Sequence, residues 1–264
     1  MTVAFSEGFA TAFASMVMKE SVYRDGYTQG GFHINLEGNV VETAGWYSER
    51  SVSSLLYDFY DESNGATDTL SLGIKGMLDV MRDELPQQPA QASIFSFMTG
   101  LYHAMPEAES EVVNLLLRQE INPYDLDAYG STEINDAGVT DLLPIYKLLT
   151  VNGDSVTSCS IDDFMTYEYN SNKLGARQYL RFTVDESSAN EEHVISVVGD
   201  FGRDPEISVF HQGVIIYAAR NPGGHSESLT HSLAGGEYIV EIGDFFNLTI
   251  PLGKTCFEVS VATQ

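Results

Sequence analysis

The sequence predicts an α+β multidomain protein, with a mostly helical part over residues 1–153 followed by an antiparallel β-sandwich over 154–264. Three observations carry that prediction. Apolar residues recur at helical spacing as far as about Gln119. Beyond the turn-forming run Asn152-Gly153-Asp154-Ser155 the pattern changes to strict alternation. Two cysteines, Cys159 and Cys256, bracket the alternating part. With 264 residues, 43% of them hydrophobic, each part can bury a core of its own.

The first predicted helix runs from Phe5 to Met18 and carries no charge after Glu7. Gly8, Ala10, Ala12 and Ala14 keep its surface narrow. A helix apolar on nearly every side is expected to be enclosed by other elements. Glu7 would then be a carboxylate entering a buried helix, which is costly unless it is paired, hydrogen-bonded or bound to a metal. Tyr23 to Gly45 is rich in glycine and polar residues and reads as an irregular excursion, with a short strand near Gly38–Thr43. Ser48 is placed to cap a helix reaching Asp61, whose stripe is Val52, Leu55, Leu56 and Phe59. Thr69–Arg82, Ala92–Met105 and Glu107–Gln119 are three further helical patterns, with Pro86 to Pro89 as a break. Thr140–Leu149 reads as a short strand or turn containing Pro144. Seven strands follow, at 179–184, 194–198, 206–210, 214–218, 226–233, 238–242 and 256–261.

Charge narrows the partners. The formal net charge is −25, and both parts are acidic, so nucleic acid and anionic membrane surfaces are disfavoured by like-charge repulsion. No run of 18 apolar residues offers a membrane span, and no basic segment followed by an apolar run marks a signal peptide. Opening directly on an apolar helix suggests a fragment or a mature piece of a longer protein. A Cys159–Cys256 bridge would tie the first segment of the sandwich to its last strand; two buried free thiols are the alternative.

The familiar catalytic motifs are missing. None of the six histidines forms an HExxH pair, and there is no G-x-S-x-G elbow, P-loop or dinucleotide fingerprint. Asp125-Leu126-Asp127-Ala128-Tyr129-Gly130, with Glu133 and Asp136 at the ninth and twelfth positions, has the outline of a calcium loop. Tyr129 takes a ligand slot and Thr132 the usual apolar one, so a solvated polar loop is the preferred reading and Ca2+ the lesser one. Asp58 and Asp61 fall in the last turn of their helix, where the dipole opposes them, and pairing with Arg50 or Arg24 is the simplest expectation. Tyr23, Tyr27, Tyr47 and Tyr57 read as packing residues before cleft residues.

Two stretches carry resemblances. Phe5-Ser6-Glu7-Gly8-Phe9-Ala10 resembles the helix that gives gluzincin metallopeptidases their third zinc ligand, with Thr11 where some members have an aspartate. Gly45-Trp46-Tyr47-Ser48-Glu49-Arg50-Ser51-Val52, continuing to Asp58 and Asp61, is similar to the segment that follows in uncharacterised bacterial gluzincin-like proteins. This resemblance covers about the first 80 residues. It implies that Glu7 is a Zn2+ ligand and that the HExxH helix lies upstream, so that this chain alone is not catalytically competent. The residues by themselves leave open that Glu7 only meets backbone N–H groups at the helix start.

Further along, Gln178-Tyr179-Leu180-Arg181-Phe182-Thr183-Val184, Glu206-Ile207-Ser208-Val209-Phe210 and Leu233-Ala234-Gly235-Gly236-Glu237-Tyr238-Ile239-Val240-Glu241-Ile242 resemble strands of the pre-peptidase C-terminal module of secreted bacterial peptidases. The two resemblances imply part of a secreted, periplasmic or cell-surface zinc metallopeptidase, or an inactive relative, acting on polypeptide and carrying an accessory sandwich. The alternative is a non-enzymatic exported protein whose sandwich binds a protein or glycan partner.

Overall fold

Helix α1 (Thr2–Met18) lays one face on helix α2 (Glu49–Tyr60), and the helical part is built outward from that pair. The computed structural model describes residues 1–28, 30–37, 43–61, 70–139, 141–161, 174–249 and 253–264. The described chain divides into two units. One comprises Met1–Gln88 and Ala92–Ala137; the other comprises Pro89–Gln91 and the described chain from Gly138 onward. Its six α-helices and three sheets, among the described residues, make it an α+β protein.

In the first unit, Gly8 sets how near α1 and α2 come. A Cβ at Gly8 would lie 2.7 Å from Val52 Cγ1 and 3.0 Å from the Glu49 carbonyl oxygen, so only glycine permits the contact. α2 starts where the sequence predicts, with the Ser48 hydroxyl accepting the Ser51 N–H. Helix α3 (Gly73–Asp79) continues through a π turn, Val80–Glu84, and a 3-10 turn, Leu85–Gln87. Helix α4 (Ile94–Ala104) opens with a reciprocal cap between Ser93 and Ser96. Helix α5 (Ala108–Arg118) places Glu109 and Glu111 in its first turn, at the positive end of the dipole. The core is aromatic. Phe97 stands 6.1 Å from Phe5 and 6.3 Å from Phe59, ring centre to ring centre, and Trp46 stands 6.0 Å from Phe95.

Between α1 and α2 the irregular excursion proves to contain a hairpin. β1 (Val22–Tyr27) pairs antiparallel with β2 (Gly30–Asn35), from Val22 opposite Asn35 to Tyr27 opposite Gly30. The hairpin has no apolar alternation to betray it, because nearly all of β2 is exposed on both faces. The strand expected near Gly38–Thr43 lies almost wholly outside the described residues.

The second unit is a two-sheet sandwich. One sheet has the order β3-β5-β10-β7-β8 and the other β4-β11-β6-β9. All seven predicted strands are present, as β5 (Arg177–Val184), β6 (Glu192–Val198), β7 (Pro205–His211), β8 (Val214–Ala219), β9 (Ser226–Ser232), β10 (Gly236–Asp244) and β11 (Thr255–Thr263). A short helix, α6 (Phe245–Thr249), follows β10. The inward residues, among them Leu180, Phe182, Val197, Val209, Val240, Phe257 and Val259, form one core. The stretch read as a short strand or turn contains β3 (Tyr146–Leu148), which pairs in parallel with β5, whereas β4 (Val156–Ser160) is too polar to show a pattern and was not legible. β3 joins this sheet, and the described residues between 138 and 153, assigned from the sequence to the helical part, belong to the same unit as the sandwich.

Candidate functional site

Glu7 is exposed, not buried. α1 turns Ala4, Phe5, Gly8, Ala12, Ser15 and Met16 inward. Its opposite side, with Val3 48% and Val17 59% exposed and Ala10 between them, is also apolar. Composition alone cannot tell two apolar faces apart; packing on α2 chooses one and leaves Glu7 beside the other. Nor is Glu7 a helix-start carboxylate. The helix begins at Thr2, so Glu7 lies beyond the first turn, where backbone N–H groups are already taken.

Its neighbour across the helix contact is Glu49, the first residue of α2 and half-buried. Burial, and then the charge of Glu7, push the Glu49 carboxyl above the ordinary carboxylate value. A carboxyl raised in the folded state favours folding while protonated, and that advantage fades as pH rises from the ordinary value through the raised one. Glu7→Gln is therefore expected to lower the Glu49 pKa and to stabilise the protein above that window, with no gain below it. Carboxyl NMR titration together with stability against pH would test this; an unmoved Glu49 would refute the coupling.

A carboxylate oxygen is chemically suited to Zn2+, but α1 and α2 contain no histidine to join it. Among the described residues, no three His, Cys, Asp or Glu side chains converge as a metal site. The described residues by themselves therefore do not make up a zinc site.

Other predicted residues have structural employment. Asp58 is buried and pairs with Arg118 at 3.2 Å, not with Arg50 or Arg24, while Arg24 pairs with Glu20. Tyr47 is buried, its hydroxyl donating to the Ala44 carbonyl at 3.0 Å. Tyr57 is buried too, and its pKa is raised to about 12, first by desolvation and then by Asp61, Glu37 and Tyr60. Tyr23 is half-buried on β1, and the Tyr27 side chain lies outside the described residues.

The calcium-like loop spends two of its carboxylates, Asp127 and Glu133, on its own backbone. Asp127 Oδ1 accepts the N–H groups of Tyr129 and Ser131 at 3.0 and 2.9 Å. Glu133 is buried; its Oε1 accepts from Ile134 and Asn135, both at 2.8 Å, and its Oε2 from Asn122 at 3.2 Å. Glu133 is therefore a turn-forming acceptor, and Asp136 is exposed.

In the sandwich, Cys159 and Cys256 form a disulfide between directly opposed residues of β4 and β11. The late glycine-tyrosine strand also acquires a physical reason. Gly236 has φ +144°, and a Cβ there would lie 3.0 Å from the His211 ring. Two residues on, Tyr238 stacks on Phe182 at 5.3 Å and donates its hydroxyl to the Ala234 carbonyl at 2.9 Å, closing the turn. Sequence reasoning missed Arg177, which reaches Glu241 on the neighbouring strand β10 at 2.5 Å and Glu206 on β7 beyond it at 3.9 Å. No local pattern announces a cation whose partners are set by sheet register.

No described helix is long and apolar enough to cross a membrane. No protein-family model matches the chain, and no curated protein matches it in sequence. Among solved structures, the pre-peptidase C-terminal domain of collagenase from Bacillus anthracis is 14% identical, with a TM-score of 0.32, over 44% of this chain and 93% of that one. PliG of Aeromonas hydrophila, a periplasmic inhibitor of g-type lysozyme, is 14% identical with a TM-score of 0.25, over 44% of this chain and 97% of that one. At such TM-scores neither kinship nor activity follows, and the sandwich architecture rests on the sheets described above.

Proposed function

We propose that this chain supplies the third zinc-ligand helix of a gluzincin-like metallopeptidase, or of an inactive relative, together with an accessory sandwich of the pre-peptidase C-terminal kind. The observation that carries the reading is the setting of Glu7: an exposed carboxylate at the edge of an unburied apolar helix face, held by the Gly8 contact with α2. A helix bearing the HExxH histidines, contributed from outside this sequence, would pack on that face with Glu7 within its reach. Small residues at Ala10 and Ala14 permit such an approach. Zinc, when bound, would lower the pKa of a bound water and polarise a peptide carbonyl. Glu7 would hold one coordination position, and Glu49 would hold negative charge close by. The disulfide suits a secreted, periplasmic or cell-surface location.

The test is metal content. Protein expressed from its full natural reading frame is expected to carry zinc, and Glu7→Ala is expected to lose it while Glu49→Gln keeps it. Equal zinc in Glu7→Ala and wild type would sink the ligand assignment. A natural reading frame without an upstream HExxH would favour the non-enzymatic exported protein instead.

A further inference from the structure

A concave site lies on the helical unit, beside the calcium-like loop. A pocket of about 500 Å³ opens between the end of α5 and the loop that follows, within the size range of ligand pockets. Three large apolar side chains on its lining reach solvent: Leu117, 46% exposed, Tyr124, 61%, and Ile134, 80%. Such residues normally occur singly on a surface, and their convergence on one concavity marks a contact site. The remaining lining is polar and acidic: Asn122 and Asn135 beside the carboxylates of Glu120, Glu133 and Asp136, with no lysine or arginine among the described residues that line it.

The walls are also preorganised. The three backbone N–H groups that bond Glu133 fix one side. Asn135 Nδ2 donates to the Glu120 and Ala44 carbonyls at 3.0 and 3.1 Å, and the Trp46 indole donates to the Asn135 carbonyl at 2.9 Å. A loop tied in this way loses little entropy when a partner arrives.

We propose that this pocket binds a peptide segment in which lysine or arginine alternates with apolar residues. The apolar side chains would cover Leu117, Tyr124 and Ile134, and the cation would lie against the Glu120 side. The charge of the site selects that partner over a second copy of this chain, which brings a net charge of −25 to the encounter. The proposal does not depend on the zinc reading.

The test is fluorescence anisotropy of the whole chain with a labelled Leu-Lys-Tyr-Lys-Leu peptide at physiological salt. Comparison peptides carry glutamate for lysine, or serine for the apolar residues. Leu117→Ser/Ile134→Ser, two exposed changes whose folding is checked by circular dichroism, is expected to weaken binding about tenfold or more. Glu120→Gln is expected to weaken it a few-fold and to flatten its salt dependence. Equal binding by wild type and the double variant would overturn the proposal, as would equal binding of the serine-for-apolar peptide, which would report mere attraction to an acidic chain. Absence of peptide binding would overturn it too. So would self-association abolished by Ile134→Ser in sedimentation without peptide binding, since the occupant would then be a second copy.

Discussion

Replacing Cys159 and Cys256 together by serine is expected to cost the sandwich about 4–5 kcal/mol at most, the chain-entropy value for a loop of this size. The bridge joins residues 97 apart in sequence and lies between β4 and β11. β4 has five residues, and β11 is its partner in its sheet. Without the bridge, the edge strand is still held by its ladder and by side-chain hydrogen bonds, among them Thr157 Oγ1 donating to Glu258 at 2.6 Å, Lys147 donating to the Thr157 carbonyl at 3.0 Å and Ser160 donating to the Ala176 carbonyl at 2.9 Å. Cys256 is exposed, so a reductant should reproduce the effect without mutation. Urea unfolding followed by a probe in the sandwich would give a lower midpoint for the variant and for reduced wild type. Identical midpoints with and without reductant would show that β4 is secured by other contacts.

Phe97→Ala is expected to destabilise the helical unit by about 3–5 kcal/mol, the usual range for a buried aromatic truncated to alanine. Phe97 is fully buried and touches rings from α1 and α2 at once, through Phe5 and Phe59. The cavity would therefore open where three helices meet, and α1, which carries Glu7, would lose one of its anchors. Phe97→Leu keeps much of the volume and should recover a large part of the loss. A denaturation midpoint for Phe97→Ala within error of wild type would contradict the packing described for this core.

Much of the architecture was legible in local pattern. The sandwich strands show alternation because one face of each meets the core, and α2 shows its stripe through Val52, Leu55, Leu56 and Phe59, all buried. The hairpin of β1 and β2 was invisible for the same reason in reverse: a ribbon wet on both faces has no apolar period to display. β4 escaped because its five residues, mostly serine and threonine, show no apolar period. The candidate site was half legible. Glu7 stood out as a carboxylate in an apolar run, but its exposure, its coupling to Glu49 and the pairing of Asp58 with Arg118 come from elements distant in the chain.

The sequence by itself determined the two-part α+β plan, seven strands of the sandwich, a net charge of −25, and the pair of cysteines available for a bridge. Those are properties of composition and of short periods, which each segment carries alone. Only the tertiary structure decided which apolar face of α1 is covered, that Cys159 and Cys256 are opposed across two strands, and that Glu133 serves its own loop's backbone. It also brought Leu117, Tyr124 and Ile134 into one pocket. The physical reason is common to all four. Burial, pairing and concavity depend on which groups meet in space, and a local sequence pattern records only what each residue could meet.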